Sequence, residues 1–239
     1  PATTTTYTVT VTNAAGCTAS TSATVTVNSL PTASITPASA SICVGESTTL
    51  TASGGTGYNW STGATTAAIT VTPATTTTYA VTVTNAAGCT ASTGATVTVN
   101  ALPTPSITPA SASICVGEST TLTASGGTGY NWSTGATTAA ITVNPATTTT
   151  YTVTVTNAAG CTASTGATVT VNALPTPSIT PASASICAGE STTLTASGGT
   201  GYNWSTGATT AAITVNPATT TTYTVTVTNA AGCTASTSA

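Results

Sequence analysis

The sequence predicts an all-β protein, a tandem array of small β-sandwich domains 72 residues apart, and three observations predict it. Apolar residues alternate with threonine at a period of two. Glycine- and asparagine-containing clusters interrupt that alternation at short intervals, and landmark residues return every 72 positions.

The period comes first, because a missed repeat misassigns the whole fold. Trp60, Trp132 and Trp204 keep the 72-residue step, as do Glu46, Glu118 and Glu190 and the pairs Leu30-Pro31, Leu102-Pro103 and Leu174-Pro175. The spacing divides the chain into the tail of one repeat at 1–30, repeats at 31–102 and 103–174, and a last repeat at 175–239 that stops short. A 72-residue step exceeds the roughly 20–50 residues of a solenoid unit and suits one small domain per repeat. Beginning and stopping inside a repeat, the sequence reads as a window on a longer array.

Within a repeat the elements follow in order. Leu50 and Ala52, Tyr58 and Trp60, and Ile69 and Val71 each mark a short alternating run. Tyr79, Val81 and Val83 alternate with Thr and Ala through Thr78–Thr84, and Val97 and Val99 alternate with Thr through Ala95–Asn100. Such alternation places one face inward and the other in water. Between the runs stand Gly54–Gly57, Ser61–Gly63 and Asn85–Gly88, rich in the residues that form turns. Nothing carries helical periodicity. Six or seven short strands in one repeat read as a sandwich.

Composition narrows the function. The chain of 239 residues has no Lys, Arg, His or Asp, three Glu, a net charge of −3, and 72 Thr. A hydrophobic fraction of 39% and a mean hydropathy of +0.32 distinguish it from disordered low-complexity segments. Without basic residues nothing neutralises phosphate, which excludes nucleic acid and attraction to anionic membrane surfaces. No apolar run nears the ~20 residues of a membrane-spanning helix, and a signal peptide would need a basic end. Thr is β-branched and suits the outer faces of strands in place of charge. The run Thr75–Thr78 is expected to precede its strand, so that strand propensity alone does not explain it.

Three segments carry a resemblance: CVGESTTLTASGG at Cys43–Gly55, YNWSTGATT at Tyr58–Thr66 and TTTYAVTVTNAAGC at Thr76–Cys89. They resemble the immunoglobulin-like and PKD-like repeats of large secreted Bacteroidetes surface proteins, over essentially the whole of each repeat. The resemblance implies an extracellular, immunoglobulin-like sandwich strung between a cell-surface anchor and a distal part. The PKD pattern has an acidic, glycine-containing motif after its Trp; this chain has Ser61-Thr62-Gly63 there, which favours the broader immunoglobulin-like group.

Seven cysteines, at 17, 43, 89, 115, 161, 187 and 233, alternate in spacing between 26 and 46. With no His an activated thiol lacks its base, and two Cys per repeat fall short of the four ligands of a zinc site, so disulfides in an oxidising compartment remain. Pairing within repeats gives Cys43–Cys89, Cys115–Cys161 and Cys187–Cys233, with Cys17 paired outside the window. Pairing between repeats gives Cys17–Cys43 and its successors. Either strands one cysteine. The extended chain between Cys17 and Cys43 favours pairing within repeats.

Trp60, Trp132 and Trp204, assigned to the third strand, and Tyr79, Tyr151 and Tyr223 are expected in the core. Each repeat has one Glu, in a Gly-Glu-Ser turn, so no carboxylate pair or calcium site is expected. Asn59, Asn131 and Asn203 open N-x-Ser triplets, a weak N-glycosylation signal. Thr75, Thr76, Thr77 and Thr78, Thr147, Thr148, Thr149 and Thr150, and Thr219, Thr220, Thr221 and Thr222 lie beside Pro73, Pro145 and Pro217 and are candidates for O-glycosylation.

The sequence therefore reads as a non-enzymatic structural repeat of an extracellular stalk or fibril on a bacterial surface, with no cofactor. Its partners are neighbouring repeats, identical chains in a fibril and covalent glycans, with no nucleic acid and no membrane insertion in this segment. The alternative is a carbohydrate- or surface-binding adhesin module.

Overall fold

The alternating runs are strands in the computed structural model, which describes residues 1–239 and contains no helix. By contact density the chain divides into two units, 1–102 and 103–239.

The first unit holds β1 (Thr5–Thr12), β2 (Thr18–Val25), β3 (Ser34–Thr36), β4 (Ser39–Cys43), β5 (Thr48–Ser53), β6 (Gly57–Trp60), β7 (Ala68–Val71), β8 (Thr77–Thr84) and β9 (Thr90–Asn100). β1 and β2 form a two-stranded hairpin. The remainder is a sandwich, a three-stranded sheet β3-β5-β7 against a four-stranded sheet β4-β9-β8-β6. Leu50, Ala52, Ile69 and Val71 of one sheet meet Trp60, Tyr79, Val81, Val83 and Val97 of the other in a single apolar cluster. Each large aliphatic side chain buried there contributes about 1.5–3 kcal/mol.

All pairings are antiparallel except one. β4 runs parallel to the end of β9, from Ser39 opposite Thr96 to Cys43 opposite Asn100. Between β3 and β4, at the cis Thr36-Pro37 bond, the chain passes from one sheet to the other. Gly54 has φ +105°, and a Cβ there would lie 2.0 Å from the Thr32 carbonyl oxygen, so only glycine fits.

The second unit repeats this plan. It contains β10 (Ser106–Thr108), β11 (Ser111–Cys115), β12 (Thr120–Ser125), β13 (Gly129–Trp132), β14 (Ala140–Val143), β15 (Thr149–Thr156) and β16 (Thr162–Asn172). Then follow β17 (Ser178–Thr180), β18 (Thr192–Ser197), β19 (Gly201–Trp204), β20 (Ala212–Val215), β21 (Thr224–Thr228) and β22 (Thr234–Ser238). β11 again runs parallel to β16, whereas Ser183–Cys187, of the same Ser-Ala-Ser-Ile-Cys sequence, forms no strand. The fold is a tandem array of immunoglobulin-like β-sandwiches.

Two sequence expectations shift. Trp60 lies on β6, the fourth strand of its sandwich and not the third, because two very short strands, β3 and β4, come first. The threonine run does not simply precede its strand, since Thr77 and Thr78 are already in β8.

The outer faces show what the threonines do. Thr78 and Thr96 pair hydroxyl to hydroxyl at 2.9 Å, Thr82 and Ser92 at 2.9 Å, and Thr49 and Thr70 at 3.1 Å, each across neighbouring strands. Such pairs contribute roughly 0.2–1 kcal/mol each and need no charge. Inside the run, Thr77 donates to the Thr75 carbonyl (2.7 Å), and the Thr76 hydroxyl accepts the Val99 N–H (3.1 Å). The run ties the start of β8 to the end of β9.

Candidate functional site: the joint between repeats

The β8–β9 connection, Asn85-Ala-Ala-Gly-Cys89, is held by its first residue. Asn85 Oδ1 accepts the N–H groups of Ala87 and Cys89 at 3.0 Å each, and the Cys89 carbonyl accepts the Asn85 N–H. Gly88, at φ +81°, takes the left-handed position that closes the turn. This leaves Asn85 Nδ2 pointing away from its own hairpin, where it donates to the Ser29 carbonyl at 2.9 Å. Cys89 Sγ lies 3.9 Å from the Asn28 carbonyl oxygen. The hairpin tip of one repeat thus rests on the chain that leaves the previous one.

The second unit builds the same joint. Asn229 Nδ2 donates to the Ala173 carbonyl at 2.8 Å, and Cys233 Sγ lies 4.0 Å from the Asn172 carbonyl oxygen. Here the joint is covalent. Cys115 and Cys233 form a disulfide with a Cα–Cα distance of 5.6 Å across a sequence separation of 118. In the chain-entropy description, closing so long a loop stabilises by about 5 kcal/mol.

This corrects the pairing expected within repeats. Cys115 does not bond Cys161, and Cys187 does not bond Cys233. Cys187 and Cys17 are exposed thiols and Cys89 is a half-buried one, while Cys43 and Cys161 are held in disulfides. The physical reason lies in the parallel strand. Cys115 sits opposite Asn172, at the last residue of β16, whereas Cys161 immediately precedes the first. The eleven residues of β16 hold the two roughly 35 Å apart at ~3.3 Å per residue. No disulfide spans that distance.

The remaining sequence candidates fall as follows. Trp60, Trp132 and Trp204 are buried, their indole N–H groups donating to the carbonyls of Thr66, Thr138 and Thr210 at 2.8–2.9 Å. Tyr79 and Tyr151 are buried, but Tyr223 is only partly so, lining an open cleft beside the strandless segment that contains Ile186. Glu46 turns back on its own loop: its carboxylate accepts the Cys43 N–H at 2.9 Å while its N–H donates to the Cys43 carbonyl. Glu118 and Glu190 do the same for Cys115 and Cys187, so each glutamate shapes the turn after a cysteine-bearing segment. Asn59, Asn131 and Asn203 are exposed on β6, β13 and β19. Of the candidate threonines, Thr75, Thr76 and Thr78 are exposed and Thr77 is half-buried, with Thr147–Thr150 following the same order.

No three His, Cys, Asp or Glu side chains gather to hold a metal. No helix is long and apolar enough to cross a membrane. Sequence reasoning saw Asn85 and Asn229 only as turn formers. Their second bond, to the preceding segment, carries no local signal beyond the return of Asn-Ala-Ala-Gly-Cys with each repeat.

No protein-family profile and no curated protein sequence matches the chain. Solved structures similar to it include the N-terminal four Ig domains of Dscam1 isoform 6.44, at 15% identity over 91% of this chain and 75% of that one, with a TM-score of 0.25. The ICAM-5 D1–D4 ectodomain fragment is 15% identical over 99% of this chain and 82% of its own, with a TM-score of 0.44. The three N-terminal domains of the bacteriophage RB49 outer capsid protein Hoc are 17% identical over 88% and 96%, with a TM-score of 0.35. At such identities and TM-scores these likenesses carry no argument about function. The disulfides themselves point to an extracellular or surface location.

Proposed function

We propose that the chain is a non-catalytic, tension-carrying segment of an extracellular stalk or fibril built of 72-residue repeats (31–102, 103–174 and 175–239, with 1–30 the end of another), of which 103–174 and 175–239 are bonded side chain to side chain. One observation carries this reading, the Cys115–Cys233 disulfide that reaches from one repeat into the next. A domain that only displays a ligand-binding loop has no need of a covalent bond to its neighbour, whereas a shaft under tension does. The resemblance of Cys43–Gly55, Tyr58–Thr66 and Thr76–Cys89 to repeats of secreted Bacteroidetes surface proteins supports a bacterial surface as the setting.

Glycosylation belongs to the same proposal. With three charged side chains in 239 residues, the surface has little but hydroxyls and amides to offer water. Thr75 and Thr147 make no side-chain hydrogen bond, unlike Thr76, Thr77 and Thr78 and Thr148, Thr149 and Thr150, and are the favoured O-glycan acceptors. Intact mass decides: native material heavier than the bare 22.7 kDa in hexose steps supports modification, and agreement with that mass rejects it.

Imaging tests the stalk reading. An antibody raised against residues 103–239 should label surface appendages along their length at regular intervals. Label confined to appendage tips, together with glycan-array binding by the protein, would replace the stalk with an adhesin.

A further inference from the structure

Cys89 occupies the seat that Cys233 occupies, without its bond. Both sulfurs lie about 4 Å from the last carbonyl of the preceding strand segment, Asn28 for one and Asn172 for the other. Both tips are anchored by the same asparagine contact, Asn85 to Ser29 and Asn229 to Ala173. Cys233 is completed by Cys115, which β11 delivers by running parallel to Thr168–Asn172. The corresponding edge in the first unit, Thr24–Asn28, has no strand beside it, because the sheet there consists of β1 and β2 alone.

The face of that hairpin is exposed as well. Tyr-Thr-Val-Thr-Val occurs at Tyr7–Val11 and at Tyr151–Val155. Val153 and Val155 are 0% exposed, whereas Val9 and Val11 are 56% and 63% exposed. Val25 is 44% exposed and its counterpart Val169 is 0%. Identical residues are covered in one place by the body of a sandwich that ends its second strand with Ser-Ala-Ser-Ile-Cys. They are bare in the other.

We propose that Cys89 is one half of a covalent joint whose other half is the cysteine ending a Ser-Ala-Ser-Ile-Cys strand, added parallel to Thr24–Asn28 by a further repeat of this kind. In register, the Ser of that strand lies opposite Thr24 and its Cys opposite Asn28, beside Cys89. The inference rests on the Cys115–Cys233 joint and not on the stalk reading, and it holds equally for an array that ends in an adhesin. In its natural setting the two thiols lose two protons and two electrons to a disulfide oxidant, which leaves as a dithiol. The bond formed at Cys89 then matches the Cys115–Cys233 joint in strand register and in its place at the hairpin tip.

The test uses the 239-residue protein and a synthetic peptide, Pro-Ala-Ser-Ala-Ser-Ile-Cys-Val-Gly, activated as its 2-thiopyridyl disulfide. The Cys89 thiolate attacks the peptide sulfur, the new S–S bond forms, and thiopyridone departs with the electron pair. Coupling at Cys89, located by peptide mapping, should proceed at least tenfold faster than with a scrambled peptide of the same composition. Exposed Cys17 should show no preference between the two peptides, and Cys89→Ser should lose only the fast phase. Equal rates for the two peptides at Cys89, or a fast phase located at Cys17, would overturn the proposal, whatever imaging says of the stalk.

Discussion

Cys115 and Asn172 face each other across the parallel pair β11–β16, and that register sends the cysteine to the end of its sandwich from which the chain departs. The next hairpin tip, with Cys233, rests on that same end. The inter-repeat bond follows from these two placements.

Disulfide mapping under non-reducing conditions should therefore yield a peptide joining Cys115 to Cys233 and none joining Cys115 to Cys161. Cys233→Ser is expected to lower the unfolding free energy of the second unit by about 2–5 kcal/mol, read from urea titrations. A Cys115–Cys161 peptide as the major product would refute the register described here.

Under tension the bond acts as a shunt. Pulled from its ends, the oxidised chain cannot extend the residues between Cys115 and Cys233. Its full contour should fall short of the reduced chain's by at least roughly 400 Å, from a separation of 118 at about 3.3–3.6 Å per residue. Single-molecule stretching with and without reductant measures the difference, and equal contours would show that the bond is not closed.

Trp132 is buried and satisfies the Thr138 carbonyl through its indole N–H. Trp132→Ala removes the largest side chain of its cluster and should cost about 3–5 kcal/mol. A loss below ~1 kcal/mol in chemical denaturation would mean that the ring is not part of the packed core.

The threonine run offers a finer comparison. The Thr148 hydroxyl accepts the Val171 N–H at 3.1 Å, while the Thr147 hydroxyl has no protein partner. Thr148→Val keeps shape and strand propensity but orphans that N–H, at a cost of about 1 kcal/mol. Thr147→Val should lie within ~0.5 kcal/mol of the parent. Equal effects would mean that the run has no position-specific role.

Gly126 has φ +101°, and a Cβ there would lie 2.2 Å from the Thr104 carbonyl oxygen, whereas Gly135, at φ +84°, faces open space. Gly135→Ala is expected to cost about 1 kcal/mol from backbone strain alone, and Gly126→Ala clearly more, because the backbone must also move. Thermal unfolding of the pair ranks them, and the reverse order would contradict the close approach.

By itself the sequence determined the local structure. Period-two alternation at Tyr79, Val81 and Val83 and at Leu50 and Ala52 marks strands and their inward faces, because side chains on a pleated strand point alternately to its two sides. Gly-Gly-Thr-Gly and Asn-Ala-Ala-Gly mark the turns, because glycine and asparagine accept backbone angles that other residues resist. Weaker runs escaped notice: Thr90–Gly94 belongs to β9 but lacks large apolar residues, so its alternation is faint. Only the tertiary structure decided the cysteine partners. The decisive contact sets Ser111 against Thr168, and Cys115 against Asn172, across more than fifty intervening residues. Spacing along the chain cannot show that a parallel strand has carried one cysteine to the far end of an eleven-residue neighbour, where the next repeat begins.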